Sequence, residues 1–139
     1  MIKRLTTSDL SMIEKLLEEE NRETLNPENI RSFLSDTSNY FLAFIHNEQI
    51  LGYALAYTLA RYDGRESMMY LHEIEVKESA RRKGIGKKLL NEMNNICEQN
   101  GFMKLFLITN KSNKPAVALY ESLSGEASND DDIVYTFKS

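Results

Sequence analysis

Apolar residues near the start of the chain recur at helical spacing. Leu10, Ile13, Leu16 and Leu17 fall on one face, with Thr7 or Ser8 in position to cap the helix. MIKRLT before them reads as a short strand. A second, shorter helix is predicted from Asn26-Pro27, with proline tolerated in its first turn and Ile30, Phe33 and Leu34 on its apolar side. After SDTSN the period changes to two. YFLAFIH and ILGYALAYTLARY read as strands joined by the polar turn Asn47-Glu48-Gln49. In the second strand, Tyr53, Leu55, Tyr57 and Leu59 share one face, and Ala54, Ala56, Thr58 and Ala60 share the other. A face of such small residues predicts a neighbour packed very close to it. Asp63-Gly64 turns the chain into a third strand, SMMYLHEIEV, which completes an antiparallel meander.

The loop ESARRKGIG leads into a long helix, KKLLNEMNNICEQ. Ile85, Leu89, Met93, Ile96 and Cys97 form its apolar stripe, and Asn100-Gly101 ends it. FMKLFLIT is a compact apolar run that reads as a strand buried on both faces. It follows the third strand by one helix, which predicts a crossover and a parallel pair. Residues 115–123 read as another helix with Pro115 in its first turn, and DIVYTFK as a closing strand. No repeat or Pro/Gly-rich linker divides the chain, so residues 1–139 are expected to form a single α/β domain.

Composition narrows the function classes. Net charge is −4 and the pI is near 5.3, which excludes nucleic-acid binding through a generally basic surface. The charge is uneven: Glu14, Glu18, Glu19, Glu20 and Glu23 cluster early, Asp130, Asp131 and Asp132 late, and basic residues gather at 81–88. That distribution suggests one small anion site on a molecule that otherwise attracts cations. A lone cysteine, Cys97, permits no internal disulfide and fits the apolar stripe of the long helix. MIKRLTTSDL turns polar at once and no apolar run approaches the roughly 18 to 20 residues of a membrane span. The expectation is a cytoplasmic protein with no membrane partner. His46 and His72 with one cysteine do not make a metal-ligand cluster.

The stretch Arg81-Arg82-Lys83-Gly84-Ile85-Gly86 follows a strand and opens a helix. Backbone N–H groups there lack intrahelical partners, and the helix dipole is positive. Glycines let a ligand approach the main chain, so the loop suits a phosphate or pyrophosphate. Arg81, Arg82, Lys83, Lys87 and Lys88 add charge-assisted donors. The plainer reading is a flexible loop with a solvated basic helix start. A Walker A loop is excluded because no Lys-Ser/Thr pair follows the second glycine. A dinucleotide fingerprint fails for want of a third glycine.

The string LHEIEVKESARRKGIGKKLL resembles the acetyl-CoA-binding motif of the GNAT acetyltransferase superfamily, Arg/Gln-x-x-Gly-x-Gly/Ala, here Arg81-x-x-Gly84-x-Gly86. A second family segment is matched by Asn113-x-x-Ala116-x-x-Leu119-Tyr120-Glu121-x-Leu123. ARYDGRESMMYLHEIEV and PAVALYESL are also similar to segments of the type I aminoglycoside 3-N-acetyltransferases. The resemblance implies a mixed, mostly antiparallel sheet with a splayed parallel pair, in the order β-α-α-β-β-β-α-β-α-β(-β). It implies acetyl-CoA as cofactor, with its pyrophosphate on the backbone of Arg82, Lys83, Gly84, Ile85, Gly86 and Lys87 beside Arg81. Ile74, Glu75 and Val76 would lie along the pantetheine arm, with the Val76 N–H as oxyanion donor, and Asn113, Ala116 and Tyr120 would complete the cofactor set. As plain strand residues, Ile74 and Val76 would be core.

Attack on a thioester needs a neutral amine, so a base must take its proton. The resemblance assigns this to Glu73, whose plainer reading is a strand-surface glutamate or an ion-pair partner. Strict alternation places Leu71, Glu73 and Glu75 on one face and His72 on the other; a β-bulge would break that pattern. His72 and Glu75 are the reserve bases. Tyr120 matches the tyrosine that protonates the departing thiolate, or else is a core anchor. Tyr62, Asp63, Glu66, His72 and Asp130–Asp132 are expected to line the acceptor side, where the Glu-rich first helix would also attract a cation. One departure stands out: Leu123-Ser124-Gly125-Glu126 replaces the family's Leu-Gly-Phe, so the C-terminal strands are expected to be reduced. The implied activity is acetyl transfer from acetyl-CoA to a primary amine of a small cationic acceptor, an aminoglycoside-like amino sugar or a polyamine, by direct attack in a ternary complex. A peptide amine as acceptor, or a CoA-binding sensor without turnover, are the other readings, and a homodimer is compatible with the family.

Overall fold

The computed structural model describes residues 1–23 and 26–138. Among them, strands β1 (Ile2–Arg4), β2 (Asn39–His46), β3 (Gln49–Leu59), β4 (Met68–Val76) and β5 (Lys104–Leu107) form one sheet in that order. The first three pairings are antiparallel and β4–β5 is parallel. Helices α1 (Leu10–Glu19), α2 (Pro27–Ser35), α3 (Ile85–Gln99) and α4 (Lys114–Ser122) complete the order. The described sheet and helices are thus the mixed α/β arrangement expected from the residue pattern. Two compact units divide the chain, residues 1–108 and 109–139.

In the first unit the sheet is covered on both faces. Leu5, Ile13, Leu16, Ala43, Ile50 and Tyr53 form one buried cluster, with Ile30 of α2 and Phe41 and Ile45 of β2 packed against it. On the opposite face α3 packs across β2, β3 and β4. Ala54 and Ala56 are fully buried there, as are Leu89 and Met93 of α3. The small residues of β3 therefore serve the close approach their pattern predicts. Gly52 extends it, because a Cβ at that position would come within 3.0 Å of both Ile85 Cγ2 and the Glu75 carbonyl oxygen. Each fully buried apolar side chain of this kind contributes about 1.5–3 kcal/mol.

Helix ends follow local chemistry more closely than the sequence reading anticipated. α1 is not capped by Thr7 or Ser8, which lie inside a short 3-10 turn at Thr7–Asp9. Asp9 is the N-cap of α1, and its carboxylate accepts hydrogen bonds from the Thr6 N–H (2.8 Å) and the Lys3 ammonium (2.7 Å). The carboxylate thus ties the 3-10 turn to Thr6 and Lys3, and it makes no bond to the N–H groups of α1. α2 starts at Asn26-Pro27 as predicted, and Asn26 caps it by accepting from the Glu28 N–H at 3.0 Å. α3 closes with Gly101 at φ 68° and the Phe102 N–H on the Cys97 carbonyl at 2.9 Å, the double closure that a left-handed residue permits.

The second unit consists of α4 and an extended tail. Asn113 Oδ1 accepts from the Ala116 N–H at 3.3 Å, and α4 ends in the same closure, with the Gly125 N–H on the Tyr120 carbonyl at 2.9 Å. Ser124 takes the left-handed position at φ 66°, where glycine is usual. A Cβ at Gly125 would come within 2.9 Å of the Tyr120 carbonyl oxygen, so this departure from Leu-Gly-Phe keeps its glycine for steric reasons one residue later.

Two strand expectations are corrected. DIVYTFK forms no strand among the described residues, and Ile133, Val134, Tyr135 and Phe137 are exposed. Alternation supplies a pleat but no partner, and an extended segment whose N–H and C=O groups find no ladder is not a strand. β5 is consequently an edge strand. Lys104 is exposed and Leu105, Phe106 and Leu107 are half-buried, where burial on both faces was expected.

Burial pushes the Asp9 carboxyl up, but the hydrogen bonds from Lys3 and the Thr6 N–H, with the Lys3 charge and the Thr6 hydroxyl, outweigh it and hold the group below its ordinary range. A lowered carboxyl stabilises the fold above the unfolded carboxyl pKa, about 3.9, and that stability is lost as pH falls through the lowered folded value. Asp9→Asn is therefore expected to cost about 1–2 kcal/mol near neutrality. Thermal unfolding as a function of pH checks this: the gap between variant and wild type should narrow below the carboxylate range.

Candidate active site

β3 and β4 do not pair residue for residue. Ala56 pairs with Leu71 and Leu55 with Glu73, so His72 is an extra residue in β4. Neighbouring residues of β3 face opposite ways, hence Leu71 and Glu73 lie on opposite faces of the sheet. Leu71 is buried on the α3 side, with Ala54, Ala56 and Ile74. Glu73 and Glu75 join Tyr53, Leu55, Tyr57 and Tyr70 on the other side. Strict alternation had put Leu71 with the two glutamates and His72 against them. The bulge separates Leu71 from them and places His72 against the rings of Tyr57 and Tyr70, each centroid 5.6 Å away.

Electrostatics report the same grouping. Burial, then the charges of Glu20 and Glu73, pushes the Tyr53 phenol above its ordinary value, with Glu75 adding to the rise and Arg22 opposing it. Burial and then Glu73, followed by Tyr70, do the same for Tyr57. Glu73 thus acts on both tyrosines of β3 at once. His72 and Glu75 lie in the motif string, whereas Tyr53 and Tyr57 came from no motif and the alternation of Tyr53, Leu55 and Tyr57 was their available signal.

β4 and β5 run together only from Met68–Leu71 against Lys104–Leu107. Beyond Leu71 they part, and among the described residues no strand pairs with the outer edge of β4 there. The Lys77 N–H bonds to the Leu51 carbonyl at 2.8 Å, so by alternation the N–H groups of Ile74 and Val76 point away from β3, toward that free edge. Arg81 Nε donates to the Val76 carbonyl at 3.1 Å and ties the edge to the following loop.

That loop holds Arg82 at φ 66° and Gly84 at φ 77°. Gly84 is the N-cap of α3, and the first bond into the helix runs from the Lys88 N–H to the Gly84 carbonyl at 3.0 Å. The N–H groups of Ile85, Gly86 and Lys87 precede it at the positive end of the helix dipole. A Cβ at Gly84 would meet nothing within 4 Å, so the space beside the loop is open. Arg81, Arg82, Lys83 and Lys87 are exposed around it, while Ile85 is buried and seats the helix. Backbone donors, an open cradle and surrounding cations together fit a polyphosphate.

A cavity of about 390 Å³ lies on the glutamate side, lined among others by Leu16, Glu20, Tyr53, Glu75, Val76 and Arg81. Lys77 and Glu19 pair across it and join the end of β4 to α1. Among the residues expected on the acceptor side, Asp63 is ion-paired with Arg61. Arg61 holds it by two bonds of 2.8 and 3.1 Å and the Arg65 N–H by a third of 3.2 Å, which together keep its carboxyl below the ordinary range. Tyr62 is fully exposed and Glu66 lies exposed in the same β3–β4 connection. Asp130, Asp131 and Asp132 belong to the second unit, where Asp130 pairs with Lys111 at 3.8 Å. That unit also carries Asn113, Ala116 and Tyr120, with Tyr120 half-buried on α4. Cys97 is buried, and burial followed by the Glu98 charge pushes its thiol up to about 11, which removes it as a nucleophile near neutrality.

An aminoglycoside acetyltransferase from an uncultured soil metagenomic sample, in complex with trehalose, is similar at a TM-score of 0.80 and 23% identity, over 100% of this chain and 95% of that one. A second aminoglycoside acetyltransferase of the same kind of origin gives a TM-score of 0.82 at 19% identity, over 100% and 97%. The ribosomal-protein-alanine N-acetyltransferase of Brucella melitensis biovar Abortus 2308 gives 0.76 at 21%, over 99% of each chain. No curated protein matches the sequence. The sequence model of the acetyltransferase (GNAT) family matches residues 9–125, which takes in α1, the bulged strand, the glycine loop and α4. The chain belongs to the acetyltransferase (GNAT) family.

Proposed function

We propose that the protein transfers the acetyl group of acetyl-CoA to a primary amine of a small cationic acceptor by direct attack within a ternary complex. The observation that carries this reading is the bulge at His72, which turns Glu73 onto the tyrosine face next to the strand edge that β5 leaves free. Enzymes of the family use acetyl-CoA, whose thioester supplies an activated acetyl group. The N–H groups of Ile85, Gly86 and Lys87, with Arg81, Arg82 and Lys83, hold its pyrophosphate. The outward N–H groups of Ile74 and Val76 pair with the pantetheine arm and polarise the carbonyl oxygen, worth roughly 2.7–4 kcal/mol per well-placed donor. Glu73 takes a proton from the acceptor's ammonium, directly or through water, and so exposes the nitrogen lone pair. Tyr120 gives its phenolic proton to the departing sulfur.

The acceptor side carries Glu73, Glu75 and Glu20 on the tyrosine face and cavity, a carboxylate-rich surface suited to a polycation. One solved relative of the fold is an aminoglycoside acetyltransferase in complex with sisomicin, so an aminoglycoside is the first acceptor to test.

Release of free thiol from acetyl-CoA should be followed with a panel of amino sugars, polyamines and peptide amines. Turnover with the first two is expected; tight CoA binding with no thiol release for any amine would instead make the chain a sensor. Gly86→Glu places a carboxylate among the phosphate donors and should abolish CoA binding in calorimetry, with retained affinity refuting the placement. Glu73→Gln should lower kcat by roughly 10²–10⁴. The deficit should be greatest at low pH, where the amine is most fully protonated, and an unchanged pH–rate profile would rule Glu73 out as base. Tyr120→Phe should lower kcat while CoA affinity holds; unaltered turnover would remove its acid role.

A further inference from the structure

A row of aromatic rings crosses the same face of the first unit. Phe33 of α2 meets Tyr57 of β3 edge-on, with centroids 6.2 Å apart. Tyr57 leads to His72 at 5.6 Å, His72 to Tyr70 at 5.6 Å, and Tyr70 to Phe106 of β5, stacked at 5.2 Å. Four secondary-structure elements therefore contribute to one continuous aromatic lane. It is not core: Phe33, Tyr57, Tyr70 and Phe106 are only half-buried, and His72 is exposed. α1 and α2 cover the β1–β3 side of this face, where Leu5, Ile13, Leu16 and Tyr53 are buried, and the lane begins where that cover ends at Phe33. A contiguous row of rings left partly open to water in this way is a candidate binding surface.

Charge selects the occupant. Aromatic faces carry the negative side of a quadrupole, and Glu73 adds a full negative charge whose effect is felt at Tyr57. The combination attracts a cation, and the flat rings favour one that also presents a flat, weakly polarised C–H face. A saturated sugar ring bearing an ammonium has both properties, with its axial C–H bonds on the rings and its amine toward the carboxylate. A linear polyamine has the charge but no face to stack.

Accepting the acetyltransferase reading above, on which this rests, we infer that Phe33, Tyr57, His72, Tyr70 and Phe106 form a stacking platform for the acceptor's ring. The platform makes the enzyme select ring-borne amines over linear amines of equal charge. These residues determine specificity. They bind and orient, while Glu73 handles the proton.

Neamine and spermine, which carry the same number of amines, test this directly. Tyr57→Leu and Tyr70→Leu should each raise KM for neamine about tenfold, the scale of one ring-stacking contact. KM for spermine and for acetyl-CoA should not change, and Tyr57→Phe should retain wild-type behaviour because its ring is kept. His72→Ala, an exposed position, serves as a further variant if either leucine substitution unfolds the sheet. Saturation transfer in NMR, from the protein's aromatic protons to neamine ring protons, reads the platform without any turnover. Equal KM changes for both amines, or saturation transfer absent in the wild type, would overturn the platform. Saturation transfer present and lost in Tyr70→Leu, in a wild type that releases no thiol with any amine, would uphold the platform and refute the acetyltransferase reading alone.

Discussion

His72 is one residue more than β3 can match, and the face of every side chain after it depends on that surplus. Before the bulge, Met69 and Leu71 point into the packing against α3 and are almost fully buried. After it, Ile74 and Val76 take over that side, while Glu73 and Glu75 turn to the tyrosines. Without the extra residue, the alternation that buries Leu71 would carry Glu73 into the same apolar layer, where an unpaired carboxylate is expensive. The bulge lets one strand serve as core wall and as a carboxylate-bearing surface within nine residues.

The parting of β4 from β5 works alongside it. A parallel pair that ends after Leu71 leaves main-chain donors at Ile74 and Val76 facing outward, where a paired strand would have used them. The glycine loop then begins within reach of the same edge, since Arg81 bonds to the Val76 carbonyl. Gly52 contributes from behind: lacking a side chain, it lets Ile85 seat the first turn of α3 against β3 and holds the loop's donors in place. Glycine loop, outer strand edge and carboxylate face are thus consecutive parts of one strand–loop–helix passage.

Much of this was legible in the residues. The period of Leu10, Ile13, Leu16 and Leu17, the alternation through Tyr53–Leu59 and the glycines at 84 and 86 located the helices, the meander and the loop, because each depends on interactions between residues a few positions apart. The close packing of α3 followed from the alanines of β3. Less legible were features that depend on distant partners. Asp9 rather than Thr7 or Ser8 stands at the start of α1, held from outside the helix by Lys3, and Asp63 is paired with Arg61. DIVYTFK has the alternation of a strand and stays outside the sheet, since pairing requires a ladder that local pattern cannot supply.

By itself the sequence determined the order of elements through α4, the glycine-bearing basic loop at Arg81–Lys87 and the family to which those motifs belong, because these reside in contiguous residues and in dihedral preferences such as that of Gly84. Only the tertiary structure decided which way Glu73 faces, that β4 outruns β5, and that Phe33, Tyr57, His72, Tyr70 and Phe106 line up. A single surplus residue reverses a strand's faces without altering its composition, and rings from four separate elements become neighbours only once the sheet has assembled around them.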